Sequence, residues 1–560
     1  MQRLAFVLAF FVVGCGSAMK VGTLVAAGDS LTERTRPPGT APSSPASPQV
    51  MLLAFDGVSR DLLYDLLRAG KLPNLTALLG GDGLAHAHLN EHLLSNLPST
   101  TMPAWTSTLT GVGAAEHGVP NNEFFVRETK RFEAPAPVSF ADATPTLDLY
   151  TDGYMSKLVT APGVYERIHV EDPNALVWVV MHPFFRDADT LLLAKRIVIA
   201  KAFEGFLEKE LSHGSGKSAR RVYEELDKAA IESLVSHLER GPVPDMLTLY
   251  LSGTDLYAHV AEEGPDEARQ AYLTEVIDPA MAPLVARMRA RGMLDNRWIV
   301  VTADHGHTQV VHDEAHAIGT GDEDAPGVLQ KLGYKVRPHT WKVDAADPFN
   351  AVVAYGGAMG FVYLADRSKC PGEKEPCAWA DPPRYHDDVL LVAEGYYQNN
   401  EDGSLAPGMK GALDMIFVRE PRPVAEVDLP FDVYVGDGKT LPIDDYLKLH
   451  PHPTYVDLAK RMHELAVGSH GERAGDILLL AHNGDRDRPE DRFYFAAPYR
   501  SWHGSPSKLD SEIPLIVANP RHKAAAIGSW VSQVLGDRPY QRKVSDIILG
   551  LRKRGIQPTP

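Results

Sequence analysis

The chain has 560 residues, 44% of them hydrophobic, and a formal net charge of −17. A chain of this length can bury a large core, so its stability need not depend on its few cysteines. The acidic balance, with no basic stripe to contact phosphates, argues against a nucleic-acid polymer as a partner.

Residues 1–14 predict a lipoprotein signal peptide. Met1-Gln2-Arg3 is a short basic start, an apolar run extends to Val13, and Val12-Val13-Gly14-Cys15 fits a bacterial lipobox. The apolar run is too short to span a bilayer. A lipidated Cys15 would anchor the exported protein to the bacterial cell envelope, on its periplasmic or surface face. A plain signal peptide with a chance cysteine, or a buried strand, is the alternative.

Residues 15–48 predict a flexible tether, because proline, serine, threonine, glycine and alanine dominate them and cannot form a core. Within this segment, Ala27-Gly28-Asp29-Ser30-Leu31 matches the first block of the GDSL hydrolases, with Ser30 as the nucleophile. That block requires a folded domain directly after it, whereas a proline-rich stretch follows here. The esterase interpretation, with Asp313 and His316 as distant partners, is therefore not favoured.

Three apolar runs predict buried parallel strands, each ending near an acidic residue. VMLLAF precedes Asp56, MLTLYLSGT precedes Asp255, and WIVVTA precedes Asp304. Ligands of open α/β sheets bind at the carboxyl ends of strands, so these residues are expected at one edge. Taken singly, an aspartate in such a place is more often a helix cap or a turn former.

Two of these places also carry histidines. Asp255 and His259 are four residues apart, so a helical turn would place them on one face. Asp304 and His305 are adjacent. Aspartate with histidine suits zinc and similar divalent ions, and the lack of cysteine in both clusters argues against a structural zinc knuckle.

The segment Pro98-Ser99-Thr100-Thr101-Met102-Pro103 supplies the candidate nucleophile, Thr101. Hydroxyl-rich stretches commonly cap helices, and Pro103 at an early helical position fits that simpler interpretation. A hydroxyl at a helix N-terminus, beside a divalent cation, is also where an alkoxide and a phosphate are stabilised.

In chain order, AFDG, PSTTMPAW, EHGVPNN, TDLYAH, TADHGH and SWHGSPSKLDSEIPLI together resemble the alkaline phosphatase superfamily, and its nucleotide pyrophosphatase and type I phosphodiesterase branch in particular. The resemblance extends from about Val50 to the C-terminus. It implies an α/β fold with a mostly parallel sheet sandwiched by helices. It also implies hydrolysis of phosphodiester or pyrophosphate bonds in a small phosphate ester through a phosphothreonine intermediate.

The resemblance further implies two divalent metal ions, with zinc favoured. It assigns to the first ion Asp255, His259 and His503, and to the second Asp56, Asp304, His305 and the Thr101 hydroxyl. Asn122 occupies the place of a family asparagine that donates to a phosphoryl oxygen, with Asn121 as the fallback. We expect the N–H of Met102 to assist, and two in-line steps to give net retention at phosphorus.

The chain departs from the family at Ala104-Trp105, where nucleotide pyrophosphatases usually have Asn-His, and this leaves nucleotide specificity open. Related monoesterases often use a Lys-x-Arg pair, and the comparable stretch has none. A diester is therefore favoured, although Arg186 or His182 could replace that pair. The alternatives are a phosphomonoesterase of the same superfamily and a non-catalytic surface binding lipoprotein. The sulfatase nucleophile context is absent.

Residues 49–319 and 471–560 form the predicted core, and 320–470 an inserted, smaller α+β cap. The core is expected to resume at Ile477-Leu478-Leu479-Leu480. Cys370 and Cys377 bracket a turn-rich loop and would close a disulfide in an oxidising compartment, the alternative being two free thiols. His312 and His316 are expected on the surface rather than as a further metal pair.

Overall fold

The computed structural model describes residues 32–33, 48–138, 148–150, 152–194, 198, 216–319, 323–338, 348–370, 377–423 and 428–553. The predicted signal peptide, Cys15 and Ser30 lie outside the described residues. Within the predicted tether, Thr32–Glu33 forms a strand that pairs with the main sheet, so these two residues differ from a free tether. Among the described helices, none has the length and apolar character needed to cross a membrane.

The strands, numbered in chain order, are β1 (Thr32–Glu33), β2 (Val50–Phe55), β3 (Ala87–Asn90), β4 (Phe124–Val126), β5 (Arg131–Glu133), β6 (Val177–Val180), β7 (Thr190–Leu192), β8 (Met246–Leu251), β9 (Trp298–Ala303), β10 (Thr308–Gln309), β11 (Ala351–Gly356), β12 (Met359–Leu364), β13 (Leu413–Val418), β14 (Asp432–Tyr434), β15 (Thr440–Pro442), β16 (Ile477–Ala481), β17 (Ser501–Trp502) and β18 (Leu515–Ala518).

The α-helices are Arg60–Arg68, Pro73–Leu78, Thr101–Thr110, Ala114–His117, Tyr154–Leu158, Val164–Glu171, Gly216–Arg240, Gly253–Ala258, Pro265–Tyr272, Asp278–Ala290, Ala325–Lys331, Leu391–Asp402, Ile443–Leu449, Leu458–Ala466, Lys508–Ser511, Ala524–Leu535 and Lys543–Arg552. Wider π-helical turns, Leu273–Ile277 and Tyr385–Leu390, lead into two of these helices.

The main sheet has eight strands in the order β1-β7-β6-β8-β2-β9-β18-β3. Its centre, from β7 to β9, is parallel, whereas β1, β18 and β3 pair antiparallel at the edges. β2, β8 and β9 are buried along their whole length, as expected of parallel strands covered on both faces by helices. The predicted α/β fold with a mostly parallel sheet is confirmed.

The register of the central strands places the predicted polar residues at one edge. Phe55 at the end of β2 pairs with Leu251 of β8 and with Ala303 of β9, so the three strands end level. Asp56 and Asp304 therefore follow directly at that edge. Asp255 lies there too, in the short helix that begins just after β8.

A second sheet has six strands in the order β11-β12-β16-β13-β14-β15, all antiparallel. Its side chains alternate between two cores, as the two-residue period of a strand requires. On β12, Phe361 and Tyr363 pack into the core of the main sheet, whereas Val362 and Leu364 pack into a second core with helices Ala325–Lys331 and Leu391–Asp402. The second sheet is therefore joined to the main sheet by apolar packing.

The strand β16 corrects one expectation from the sequence. It lies between β12 and β13 in the second sheet, not in the main sheet. The prediction that the core resumes at Ile477-Leu478-Leu479-Leu480 is therefore wrong for this strand. The run ILLLA is fully buried, and such a run fits a central strand of either sheet. The chain returns to the main sheet at β18.

Two local features connect the second sheet to its surroundings. In the turn between β11 and β12, the N–H of Ala358 donates to the carbonyl of His503 at 3.0 Å, which places this turn beside the edge that carries the polar residues. Beyond β12, Cys370 and Cys377 form a disulfide, with Cα atoms 4.4 Å apart. The predicted pairing of these cysteines is confirmed.

Candidate metal centre

His305 lies in the middle of the polar residues at the end of the central strands. Its Nε2 atom is 3.5 Å from Asp56 Oδ1, 3.6 Å from Asp304 Oδ2 and 3.9 Å from Asp255 Oδ1. The side chains of all three aspartates are less than a tenth exposed. Buried carboxylates this close together repel one another unless a positive charge lies between them.

Asp255 joins the remaining predicted histidines to this group. Its Oδ1 atom is 3.3 Å from His259 Nε2 and 3.7 Å from His503 Nε2. His503 reaches this place because β17, directly before it, pairs with β10, directly after the Asp304-His305 motif. The rings of His305 and His503 consequently stack, with centroids 3.5 Å apart.

Three overlapping groups have ligand atoms within 4.8 Å of one another: Asp56 with Asp304 and His305, Asp255 with His305 and His503, and Asp255 with His259 and His307. The first group holds three of the residues predicted for the second ion. Of the residues predicted for the first ion, the second group contains Asp255 and His503. The third group contains Asp255 and His259, together with His307. The structure thus brings all the predicted ligands together without separating them into two isolated sets.

Hydrogen bonds fix how three of the imidazoles face the carboxylates. The Nδ1 atoms of His259, His305 and His503 lie 2.7, 2.9 and 2.9 Å from the backbone carbonyls of Ser501, Gly306 and Ser99. A carbonyl oxygen only accepts, so each Nδ1 carries a proton and each Nε2 is directed to an aspartate. Such a backbone contact is the usual way to orient a histidine that binds a metal through Nε2.

Two carboxylate oxygens lack a donor. Asp56 Oδ1 and Asp304 Oδ2 are buried and accept no hydrogen bond from the described part of the chain. Burial, together with repulsion from Asp304 and Asp255, raises the pKa of Asp56 well above its usual range. A divalent cation would satisfy these oxygens and the adjacent His305 Nε2, so the residues present fit a metal site.

Thr101 and Asn122 lie next to this group. Thr101 is the first residue of helix Thr101–Thr110, and its Oγ1 is 3.2 Å from His305 Nε2. Asn122 Oδ1 accepts from the N–H of Met102 at 2.9 Å, which leaves its Nδ2 as the donor. The N–H of Met102, which the sequence led us to expect at the substrate, therefore orients Asn122 instead. Asn121 accepts from the N–H of Asn122.

Arg186 and His182, the possible replacements for the Lys-x-Arg pair of related monoesterases, both contact other groups. Arg186 pairs with Glu166 at 2.8 Å and donates to backbone carbonyls. Burial lowers the pKa of His182 to about 3, so this ring is neutral. His182 packs against Trp105, which is itself buried and lies edge-on to Tyr250. Trp105 therefore belongs to the core behind the metal centre.

Sequence reasoning missed two side chains of the site. His307 Nε2 lies 2.8 Å from Asp255 Oδ1, and its position two residues after His305 was the available signal. The Tyr250 hydroxyl donates to Asp56 Oδ2 from inside β8. Nothing in the local sequence distinguishes Tyr250 from an ordinary core residue, because its partner is 194 residues away.

Residues 50–323 match the family model described as type I phosphodiesterase / nucleotide pyrophosphatase. The matched range contains Asp56, Thr101, Asp255 and His305, whereas His503 lies beyond it. No curated protein matches the chain.

Proposed function

Because residues 50–323 belong to the type I phosphodiesterase and nucleotide pyrophosphatase family, a member of the alkaline phosphatase superfamily, we propose that this protein hydrolyses phosphodiester or pyrophosphate bonds with Thr101 as its nucleophile. The observation that carries the proposal is the set of imidazole Nε2 atoms directed at buried carboxylate oxygens, with Thr101 Oγ1 3.2 Å from one of them. Such pairs need a cation between them, and a metal ion there would lie beside the hydroxyl.

The two proposed ions, with zinc favoured, divide the ligands as the resemblance implies. Asp56, Asp304, His305 and the Thr101 hydroxyl would hold one, and Asp255, His259 and His503 the other. When bound, divalent ions lower the pKa of a coordinated hydroxyl and neutralise charge on phosphate oxygens.

The protein's own groups would then carry the reaction in two steps. Thr101 Oγ1 loses its proton and attacks phosphorus in line, a new O–P bond forms, the bond to the leaving oxygen breaks, and the leaving alcohol or phosphate takes up a proton in exchange for the one lost by Thr101. Water then hydrolyses the phosphothreonine and restores the hydroxyl. The Nδ2 of Asn122, whose Oδ1 accepts from the N–H of Met102, would stabilise an equatorial oxygen.

We expect a diester to be the better substrate than a monoester, because a monoester carries one more negative charge and neither Arg186 nor His182 supplies a positive one. The test is a panel of phosphate monoesters, phosphodiesters and pyrophosphate esters assayed side by side with added zinc. The expected result is a higher kcat/KM for the diester or pyrophosphate ester. A clearly higher value for the monoester would make the protein a phosphomonoesterase of the same superfamily.

The non-catalytic alternative is decided with the same preparation. A hydrolase of this kind should retain about two zinc ions per chain at the candidate metal centre after dialysis. Less than one ion, with no turnover of any ester in the panel, would make the protein a binding module.

Gly57→Ala tests whether the ligands are as crowded as the structure has them. Gly57 has φ +67°, and a Cβ there would lie 2.6 Å from His307 Nε2 and 2.9 Å from Asp255 Cβ. Displacing Asp255 should lower kcat/KM by about 10- to 100-fold, as other disturbances around metal ligands do. Steady-state kinetics measure this loss of activity, and a melting curve measures the accompanying change in stability.

Gly81→Ala is the matched control for that variant. Gly81 has the same φ of +67°, but a Cβ there would meet nothing within 4 Å. Both variants should therefore lose about 1 kcal/mol of stability from the left-handed backbone, and only Gly57→Ala should lose activity. Equal kinetics for the two variants would show that Gly57 does not crowd the site.

A further inference from the structure

A second group of metal-binding side chains lies at one end of the second sheet. Asp414 is on β13, and His482 and Asp485 come just after β16; one ligand atom from each lies within 4.8 Å of the others. β13 and β16 are antiparallel neighbours, and Leu413 pairs with Ala481, so Asp414 and His482 share the same end. The register shifts between Leu413 and Met415, an irregularity that turns the intervening side chain out of the regular alternation.

A loop after helix Ile443–Leu449 adds a fourth candidate ligand. His452 Nδ1 lies 3.7 Å from Asp414 Oδ2, and its ring stacks on Tyr455 with centroids 4.8 Å apart. Tyr455 in turn donates its hydroxyl to Asp414 Oδ2 at 2.6 Å. His452 and Tyr455 also line a groove of about 460 Å³.

The spacing of these atoms suits one small cation. His482 Nδ1 is 3.6 Å from Asp414 Oδ1 and donates to Asp485 Oδ2 at 2.7 Å, a hydrogen bond that the ion would replace. Nitrogen and oxygen ligands on a tetrahedral ion at its usual bond lengths are about 3.3 Å from one another. In the candidate metal centre the histidine–aspartate distances run from 2.8 to 3.9 Å, so the two groups are similarly open.

Charge favours a cation here as well. Two carboxylates meet at this place, and Arg486 contacts one of them and the ring: its Nε lies 3.2 Å from Asp485 Oδ2 and its Nη2 2.7 Å from His482 Nε2. For an ion to bind His482 Nδ1, the ring proton must move to Nε2, and Arg486 must then withdraw. The Arg486 side chain is 45% exposed, so it can turn into solvent.

We propose that Asp414, His452, His482 and Asp485 form a further divalent-cation site, separate from the candidate metal centre. Two imidazoles with two carboxylates favour zinc or another transition-metal ion over calcium or magnesium. The bound ion would join the loop of His452 to the ends of β13 and β16.

Such an ion would also hold the segment that follows His503. The loop of His452 binds that segment through backbone hydrogen bonds: the N–H of Val456 donates to the carbonyl of Pro506 at 3.1 Å, and the N–H of Lys508 donates to that of Thr454 at 2.9 Å. The role we infer is therefore structural, and it does not depend on the proposed hydrolase activity.

The test measures metal content and thermal stability, without any assay of turnover. Purified protein is stripped with a chelator, reloaded with zinc, dialysed and analysed for metal, in the wild type and in His482→Gln and Asp414→Asn. Each variant should hold about one zinc ion per chain less than the wild type and should gain less in Tm on reloading. His316→Gln is the matched control, since His316 contacts a single carboxylate among the described residues, that of Asp313 at 2.7 Å, and should change neither value. Variants that bind as much zinc as the wild type would overturn the proposal.

Arg486→Gln should strengthen zinc binding, whereas a substitution that only damages the structure should weaken it. Removing the competing cation should tighten zinc binding at this site, measured as a lower Kd by calorimetric titration of the stripped protein. A higher Kd for zinc, that is, weaker binding, would overturn the proposal. If the aspartate and histidine variants fail to fold, modification of His452 and His482 by diethyl pyrocarbonate in the wild type replaces them: zinc should protect both rings, and unprotected rings would contradict the site.

Discussion

Thr101→Ala is expected to lower the turnover of a phosphodiester by about 10³-fold or more while leaving the bound metal nearly unchanged. The variant loses the oxygen that would attack phosphorus. It keeps Asp56, Asp304 and His305, whose ligand atoms lie within 4.8 Å of one another and would still hold the ion. Steady-state kinetics and metal analysis on the same preparation measure both parts of this result.

Two neighbouring substitutions make the result specific. Thr101→Ser keeps a hydroxyl at the same place and should retain much more activity than the alanine variant. Thr100→Ala removes the adjacent buried hydroxyl, whose Oγ1 has no hydrogen-bond partner among the described residues, and should leave turnover nearly intact. Wild-type rates in Thr101→Ala would mean that Thr101 only begins its helix.

The main sheet could be predicted because its signals are local. VMLLAF, MLTLYL and WIVVTA are long apolar runs that continue directly into polar residues, and the three strands they form end level. The second sheet gives weaker signals, since its strands alternate between two cores. The run ILLLA of β16 looks like a main-sheet strand, and only its pairing with β12 and β13 shows otherwise.

The candidate metal centre was predictable only where its residues fall in recognisable motifs. Asp56, Asp304 and His305 do, and they converge as expected. The contribution of Tyr250 depends on a hydroxyl that meets Asp56 across two neighbouring strands, a contact that no local pattern encodes. The lipid anchor at Cys15 stays a prediction, because that residue lies outside the described part of the chain.

His307 shows the limit of reasoning from motifs most clearly. The sequence assigns the first ion to Asp255, His259 and His503, but His307 Nε2 is nearer to Asp255 Oδ1, at 2.8 Å, than His503 Nε2 is, at 3.7 Å. His307 Nδ1 also lies 3.1 Å from the Ser501 hydroxyl, so its ring is held in place. Distances alone therefore do not show whether His307 or His503 is the third ligand of the first ion. Substitution of each histidine decides between them.

His503→Ala is expected to remove one of the two zinc ions proposed for the candidate metal centre and to lower kcat/KM by roughly 10- to 100-fold or more, as disturbed metal ligation does. The loss should be confined to one ion, because Asp56, Asp304 and His305 still form the other group. His307→Ala, measured alongside, should retain both ions and lose less activity if His307 only orients Asp255. The reverse pattern, with the ion lost in His307→Ala and kept in His503→Ala, would transfer the ligand role to His307. His503 would then serve the fold alone, through its contact with the carbonyl of Ser99 and its stacking on His305.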